Sequence, residues 1–163
     1  MNAKQIVIIL AVLTTGLLTG LFFGFEVAIN PAFARLNDAQ YIIAMQAIND
    51  VIVNPVFILV FLGAAVLLPV AAFQQKGSRR RLLWMAAALY IVGVLGITSA
   101  CNVPLNDALA KVQVTGASAA QLAAARERFA GPWNNWHTIR TIAGVVATAV
   151  AIIACLQKES NKA

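Results

Sequence analysis

The sequence predicts an all-α integral membrane protein, a four-helix bundle with short amphipathic helices in its two outer loops. Three observations carry that expectation. Of 163 residues, 61% are hydrophobic and only 11% are charged, against about 45–50% and about 25% in ordinary soluble domains. Four apolar stretches reach the roughly 20 residues needed to cross ~30 Å of hydrocarbon. The whole formal net charge of +6 falls on one side of those stretches.

Several other classes are excluded on the same grounds. A chain this hydrophobic is not disordered, and it shows no period of 20–50 residues that would mark a repeat array. Its basic residues lie between apolar runs rather than on one polar face, so no nucleic-acid partner is expected. Two cysteines are too few for a disulfide scaffold.

The spans are read as Ile6 to about Ala28, Pro55 to Phe73, Leu82 to about Cys101, and Thr138 to Leu156, within a single transmembrane domain covering 1–163. The first span also has the marks of a secretory leader, with Lys4 ahead of it and Ala32-Phe33-Ala34 after it. Its apolar stretch is too long for a leader's core of about 7–15 residues, and it is kept as a helix of the bundle. Lys4, Lys76, Arg79, Arg80, Arg81, Lys158 and Lys162 face only Glu159 on the side of the termini. On the other side Arg35, Lys111, Arg126, Arg128 and Arg140 balance Glu26, Asp38, Asp50, Asp107 and Glu127. The positive-inside rule then puts both termini in the cytoplasm, in a cell inner (plasma) membrane. Trp84 at one boundary, with Trp133 and Trp136 at the other, agrees with the preference of indole for the headgroup level.

The loops differ. Gln74 to Arg81 is short and basic, a topology anchor. Ala39 to Asp50 carries Ile42, Ile43, Met45 and Ile48 at helical spacing. Ser118 and Gln121 form a capping-box pattern ahead of an Ala-rich helix that Gly131-Pro132 is expected to stop. Cys101 and Cys155 lie at opposite ends of their spans and are expected to pack rather than pair. Gly16, Gly20 and Gly24, Gly93 and Gly96, and Gly144, Ala147 and Ala151 place small residues where backbones can approach closely, within the chain or across a homodimer seam.

Ionisable and amide side chains within a membrane are costly, and they mark candidate sites. Glu26 ends the first span, Asn102 the third, and His137 with Arg140 begins the fourth, so all gather at the outer mouth. Each has a purely structural alternative. Asn54-Pro55 has the form of a helix start. Asn102 and Asn106 could satisfy a helix broken at Pro104, Glu26 and Arg140 could form an ion pair, and His137 could sit at the headgroups. One histidine and one nearby carboxylate make too thin a ligand set for a metal, and no nucleotide or phosphate motif appears, so no cofactor is expected.

Three blocks carry a resemblance. Pro31-Ala-Phe-Ala-Arg-Leu36, Ala44-Met45-Gln46-Ala-Ile-Asn49 and Asn54-Pro55-Val-Phe57 form the first. Asn102-Val-Pro104-Leu-Asn106-Asp-Ala-Leu109 is the second, and Trp133-x-x-Trp136-His137-x-Ile139-Arg140-Thr141 the third. Together they resemble the anthrone oxygenase–like family of small four-helix membrane proteins. Fungal members oxidise anthrones to anthraquinones with molecular oxygen, while most bacterial members are proteins of unknown function. The resemblance implies an apolar, enolisable aromatic ketone and O2 as partners, met from the lipid bilayer. On that reading His137 is the base and Arg140 the partner of the developing enolate oxygen, with Asn102 and Asn106 orienting the carbonyl and Glu26 completing the catalytic group. Trp133, Trp136 and Phe22 would stack on the rings, and Asn54 would stand beside them. The competing expectation is a non-enzymatic binding, accessory or scaffold bundle whose polar mouth is structural.

Overall fold

A computed structural model describes residues 2–157. Lys158, Glu159 and Lys162, counted in the charge argument, lie outside the described residues. Five helices run along the described chain: α1 (Ala3–Phe33), α2 (Asp38–Ile52), α3 (Pro55–Gln74), α4 (Gly77–Ala110) and α5 (Ala119–Leu156). All but α2 are long and apolar enough to cross a membrane. Each spanning helix packs on its neighbours in the chain, and α1 closes the ring against α5.

The surface has the inverse polarity of a soluble bundle. Leu13, Leu17, Leu59, Val66, Val92 and Ile142 are all exposed, as side chains solvated by lipid tails would be. The interior is built from small residues. Ala11, Ala64, Ala71, Ala86, Ala147 and Ala151 are fully buried. A Cβ added to Gly93 would stand 2.6 Å from that of Ala143, and one added to Gly144 would stand 2.9 Å from the Thr19 hydroxyl. At these points α5 lies in close contact with α4 and α1. Gly20 and Gly24 have open space where a side chain would go, so of the α1 glycines only Gly16, beside Thr148, faces a neighbour. Thr19 and Thr148 hydroxyls bond across the same seam at 3.1 Å. Cys101 is half-buried and Cys155 exposed, and both are free thiols. Cys155 therefore faces outward instead of packing.

The spans are longer than their apolar stretches. α1 continues past Ala28 to Phe33 and α4 past Cys101 to Ala110, although each crosses a proline. Proline cannot donate to the helical ladder, and its ring crowds the carbonyl four residues back. In both helices a π-helical turn relieves the crowding. Asn30 donates to the Phe25 carbonyl just before Pro31. Val103 donates to the Thr98 carbonyl just before Pro104. Such widened turns recur at functional sites, and these two flank the polar cluster described below. The break expected at Asn102–Asn106 is thus a bulge. The stop expected at Gly131-Pro132 is absent as well. Pro132 forfeits one ladder bond, while Phe129 and Trp133 on either side are buried in a shared apolar cluster that holds the helix straight through.

That cluster is a cap on one end of the bundle. Tyr41, Ile42 and Met45 of α2 pack on Leu109 of α4 and on Leu122, Phe129 and Trp133 of α5. Ile43, expected on the packed face, points outward. Side-chain bonds lock the cap to helix ends that would otherwise leave carbonyls unpaired. Gln46 Nε2 donates to the carbonyls of Leu109 and Val112, both at 2.9 Å. Arg126 donates to the Leu36 carbonyl at 2.8 Å and to the Asp38 carboxylate at 3.0 Å, with its guanidinium 4.5 Å from the Tyr41 ring centre. Burial pushes the Tyr41 phenol up to about 12, so it stays neutral there. The Ser118–Gln121 capping box forms as expected, and Asn37 with Gln40 makes a second one at the start of α2.

Candidate functional site

One face of α5 brings the chemistry together. Phe129, Trp133 and His137 follow at intervals of four residues and point into the bundle, as the 3.6-residue period requires. Their rings form a ladder. Trp133 and His137 are stacked 4.8 Å apart at an interplanar angle of 7°, and Phe22 and Phe25 of α1 approach the imidazole from its edges. Arg140 continues this face and is only 6% exposed.

The hydrogen bonds settle the state of His137. Arg140 donates to its Nδ1 through both Nε, at 3.2 Å, and Nη2, at 2.9 Å. Nδ1 is therefore an acceptor, and the proton sits on Nε2, which donates to the Phe22 carbonyl at 3.1 Å. Both nitrogens are occupied, so no lone pair is left for a substrate. That arrangement differs from the free nitrogen that the expected role of base would use. His137 holds Arg140.

Glu26 stands behind the imidazole. One of its oxygens accepts from the Thr138 hydroxyl at 2.8 Å, and the other lies 3.6 Å from His137 Nε2, with no hydrogen-bond donor. The ion pair expected between Glu26 and Arg140 is not formed directly, because the imidazole lies between them. Arg140 Nη1 donates to the Thr98 hydroxyl at 3.1 Å. A guanidinium has five N–H groups. One on each terminal nitrogen is left without a protein acceptor, and the charge lies over the Phe22 ring at 4.2 Å from its centre.

This guanidinium borders a cavity of 310 Å³, at the small end of the roughly 300–1,000 Å³ range of ligand pockets. His137, Arg140, Trp133, Phe22 and Asn106 are in its wall, as expected of site residues. Four other expected residues are not. Asn54 is spent on the helix start, its Oδ1 accepting from the amides of Val56 and Phe57 and its Nδ2 donating to the Val51 carbonyl. Trp136 is 38% exposed and points away from the bundle. Asn102 is fully buried behind Trp133, where its Nδ2 donates to the Trp133 carbonyl at 3.1 Å. That bond ties α4 to the backbone of α5, and it is Asn106 that holds the Trp133 indole, accepting from its Nε1 at 2.7 Å. Glu26 acts from behind His137 and does not line the cavity.

Among the wall residues that were not anticipated are Thr98, Phe25 and Asn49. Asn49 had a legible signal. It follows Ile42 and Met45 on the buried face of α2, where an amide interrupts an apolar stripe. Phe25 and Thr98 open the π-helical turns that precede Pro31 and Pro104, which sequence periodicity does not reveal. The rim of the cavity is apolar, with Leu21, Val51, Val53 and Val103 all exposed. Among the described residues no cluster of three or more His, Cys, Asp and Glu gathers that could hold a metal.

Fold and site define a multi-pass membrane protein with an apolar chamber that ends on a buried cation. Residues 45–150 match the family model described as anthrone oxygenase, and the chain belongs to that family. No curated protein and no solved structure matches it.

Proposed function

We propose that this protein is a membrane enzyme that takes an apolar, enolisable aromatic ketone from the bilayer and oxidises it with O2. The observation that carries the reading is the Arg140 guanidinium, buried at the end of an apolar cavity with two N–H groups unengaged. A cation held in a low-dielectric site favours the oxyanion form of its ligand, and preorganised donors cost no rearrangement when that charge develops. The ketone of an anthrone would lose a proton from the ring methylene to water at the cavity mouth, leaving the negative charge on oxygen beside Arg140, and that proton is returned when the O2 adduct loses water. The electron-rich carbon would then react with O2. Overall CH2 and O2 become C=O and H2O, with one oxygen atom retained in the new carbonyl. Phe22 and Trp133 would hold the ring system, and the exposed rim of Leu21, Val51, Val53 and Val103 supports access from lipid.

The role assigned to His137 is testable against the older expectation of a base. His137→Gln keeps an acceptor for Arg140 and a donor for the Phe22 carbonyl, and should retain anthrone oxidation within about tenfold of the parent. His137→Leu keeps neither and should lose about 100-fold or more, the scale of removing one oxyanion donor. Equal loss in both variants would restore the base. A parent protein that binds anthrone without turning it over would leave a binding protein instead of an enzyme.

The charge asymmetry supports a plasma-membrane orientation with the termini cytoplasmic and the α2 cap outside. Reporters fused at Gly77 and Gly116 should therefore read opposite sides, and the same compartment for both would overturn the orientation.

A further inference from the structure

Arg140 is a buried cation in a membrane-spanning helix, and among the described residues no carboxylate touches its guanidinium. Such a charge is costly unless an opposite one stands near it. Glu26 is that group, one imidazole away. Its Oε1 accepts from the Thr138 hydroxyl at 2.8 Å. Its Oε2 is closed off from solvent, has no hydrogen-bond donor, and lies 3.6 Å from His137 Nε2. The far nitrogen of the same ring, Nδ1, accepts from Arg140 Nη2 at 2.9 Å. An unpaired buried carboxylate oxygen is destabilising by itself, and the guanidinium across the ring is what offsets it. Away from bulk water, charges act on one another over that gap. The Phe22 carbonyl accepts from Nε2 independently, so the position of the ring does not depend on the carboxylate.

We infer that Glu26 is the counter-charge of Arg140 and makes the chamber select neutral ligands over anionic ones. The inference rests on the proposed function and adds the charge of the ligand to it. An apolar chamber that opens toward lipid and ends on a cation also fits the anionic amphiphiles of a bilayer, free fatty acids among them. The cavity wall holds no Asp or Glu to repel them. Glu26 does so from behind the imidazole, because its field opposes a full negative charge brought to Arg140. A neutral ketone meets the same N–H groups without that penalty. Charge developing on a bound ketone is opposed by this field too, so removing Glu26 costs selectivity and not oxyanion stabilisation.

The test compares neutral anthrone with anionic 9-anthracenecarboxylate, which share one ring system. Quenching of tryptophan fluorescence reads their binding to the full chain in phosphatidylcholine nanodiscs at neutral pH. Glu26→Gln should tighten the carboxylate by about 3- to 10-fold, the scale of removing one partly screened charge across the ring, and leave anthrone within about twofold. Glu26→Ala removes the same charge with less bulk and should act in the same direction, so a misfolded Gln variant does not end the test. Glu26→Asp keeps the charge and should bind both probes much as the parent does. His137 is the one histidine of the chain, and its nitrogen NMR signals should place the proton on Nε2 in the parent and in both neutral variants. No tightening of the carboxylate, equal changes in the two probes, or a proton moved to Nδ1 would overturn the counter-charge and leave the proposed function standing. A parent that binds neither probe would remove both.

Discussion

Arg140→Leu should lower anthrone oxidation by about 100- to 1,000-fold, the range seen when a preorganised oxyanion donor is removed, while the melting temperature stays level or rises. The two halves of that result come from the same fact. Arg140 is 6% exposed, and its partners in direct contact are neutral: the His137 imidazole and the Thr98 hydroxyl. A buried charge without a direct counter-ion contributes little to folding, and an apolar residue of similar size is often neutral or stabilising in its place. Its use is for a ligand. If the cluster were only structural, the order would reverse, with a clear drop in melting temperature and no change in any turnover. Arg140→Lys is the informative companion. It keeps the charge but loses the planar fork that holds His137 Nδ1 while leaving donors for the cavity, so it should recover only part of the activity. Absorbance assays of anthrone oxidation and thermal melts of detergent-purified protein read both quantities.

Gly93→Ala should destabilise the bundle by about 1–3 kcal/mol, the usual cost of overpacking a well-filled core. The added Cβ would stand 2.6 Å from Ala143 Cβ, and both residues belong to helices whose backbones meet there. Neither contact atom is the end of a flexible chain, so the helices themselves must separate. In lipid, helix association depends on such close approach, because the tails are as apolar as the side chains they would replace. Ala143→Gly in the same chain should recover most of the loss. Gly20→Ala, where nothing lies within 4 Å, should change stability little. Thermal unfolding in one detergent compares the three variants with the parent, and a tolerated Gly93→Ala would mean that the α4–α5 seam is looser than the geometry indicates.

Much of the site was legible in the chain before folding, and the part that was not has identifiable causes. His137, Arg140 and Trp133 fall on one face because a helix of 3.6 residues per turn puts them there. Asn54 was readable as a cap, since Asn before Pro is a strong helix start, and the fold spends it entirely on that task. Trp136 was misplaced for a different reason. An interfacial tryptophan is equally at home facing lipid or facing a chamber, and only its angle on α5, set by Trp133 and His137 occupying the inner face, turns it outward.

What the sequence determined by itself is the number of helices apolar enough to cross, the apolar stretch of each, and the end at which the polar residues collect. Those follow from hydrocarbon thickness and charge cost, which act on each segment separately. The tertiary structure decided who bonds to whom. Each π-helical turn adds a residue to a turn and rotates everything beyond it by about 100°, so the faces of α1 beyond Phe25 and of α4 beyond Leu89 could not be extrapolated from the residues before them. The assignment of His137 as the holder of Arg140 was likewise invisible in the chain. A histidine's free nitrogen depends on its partners, and here Arg140 donates from the same helix while the Phe22 carbonyl that accepts from Nε2 arrives only when α1 packs on α5.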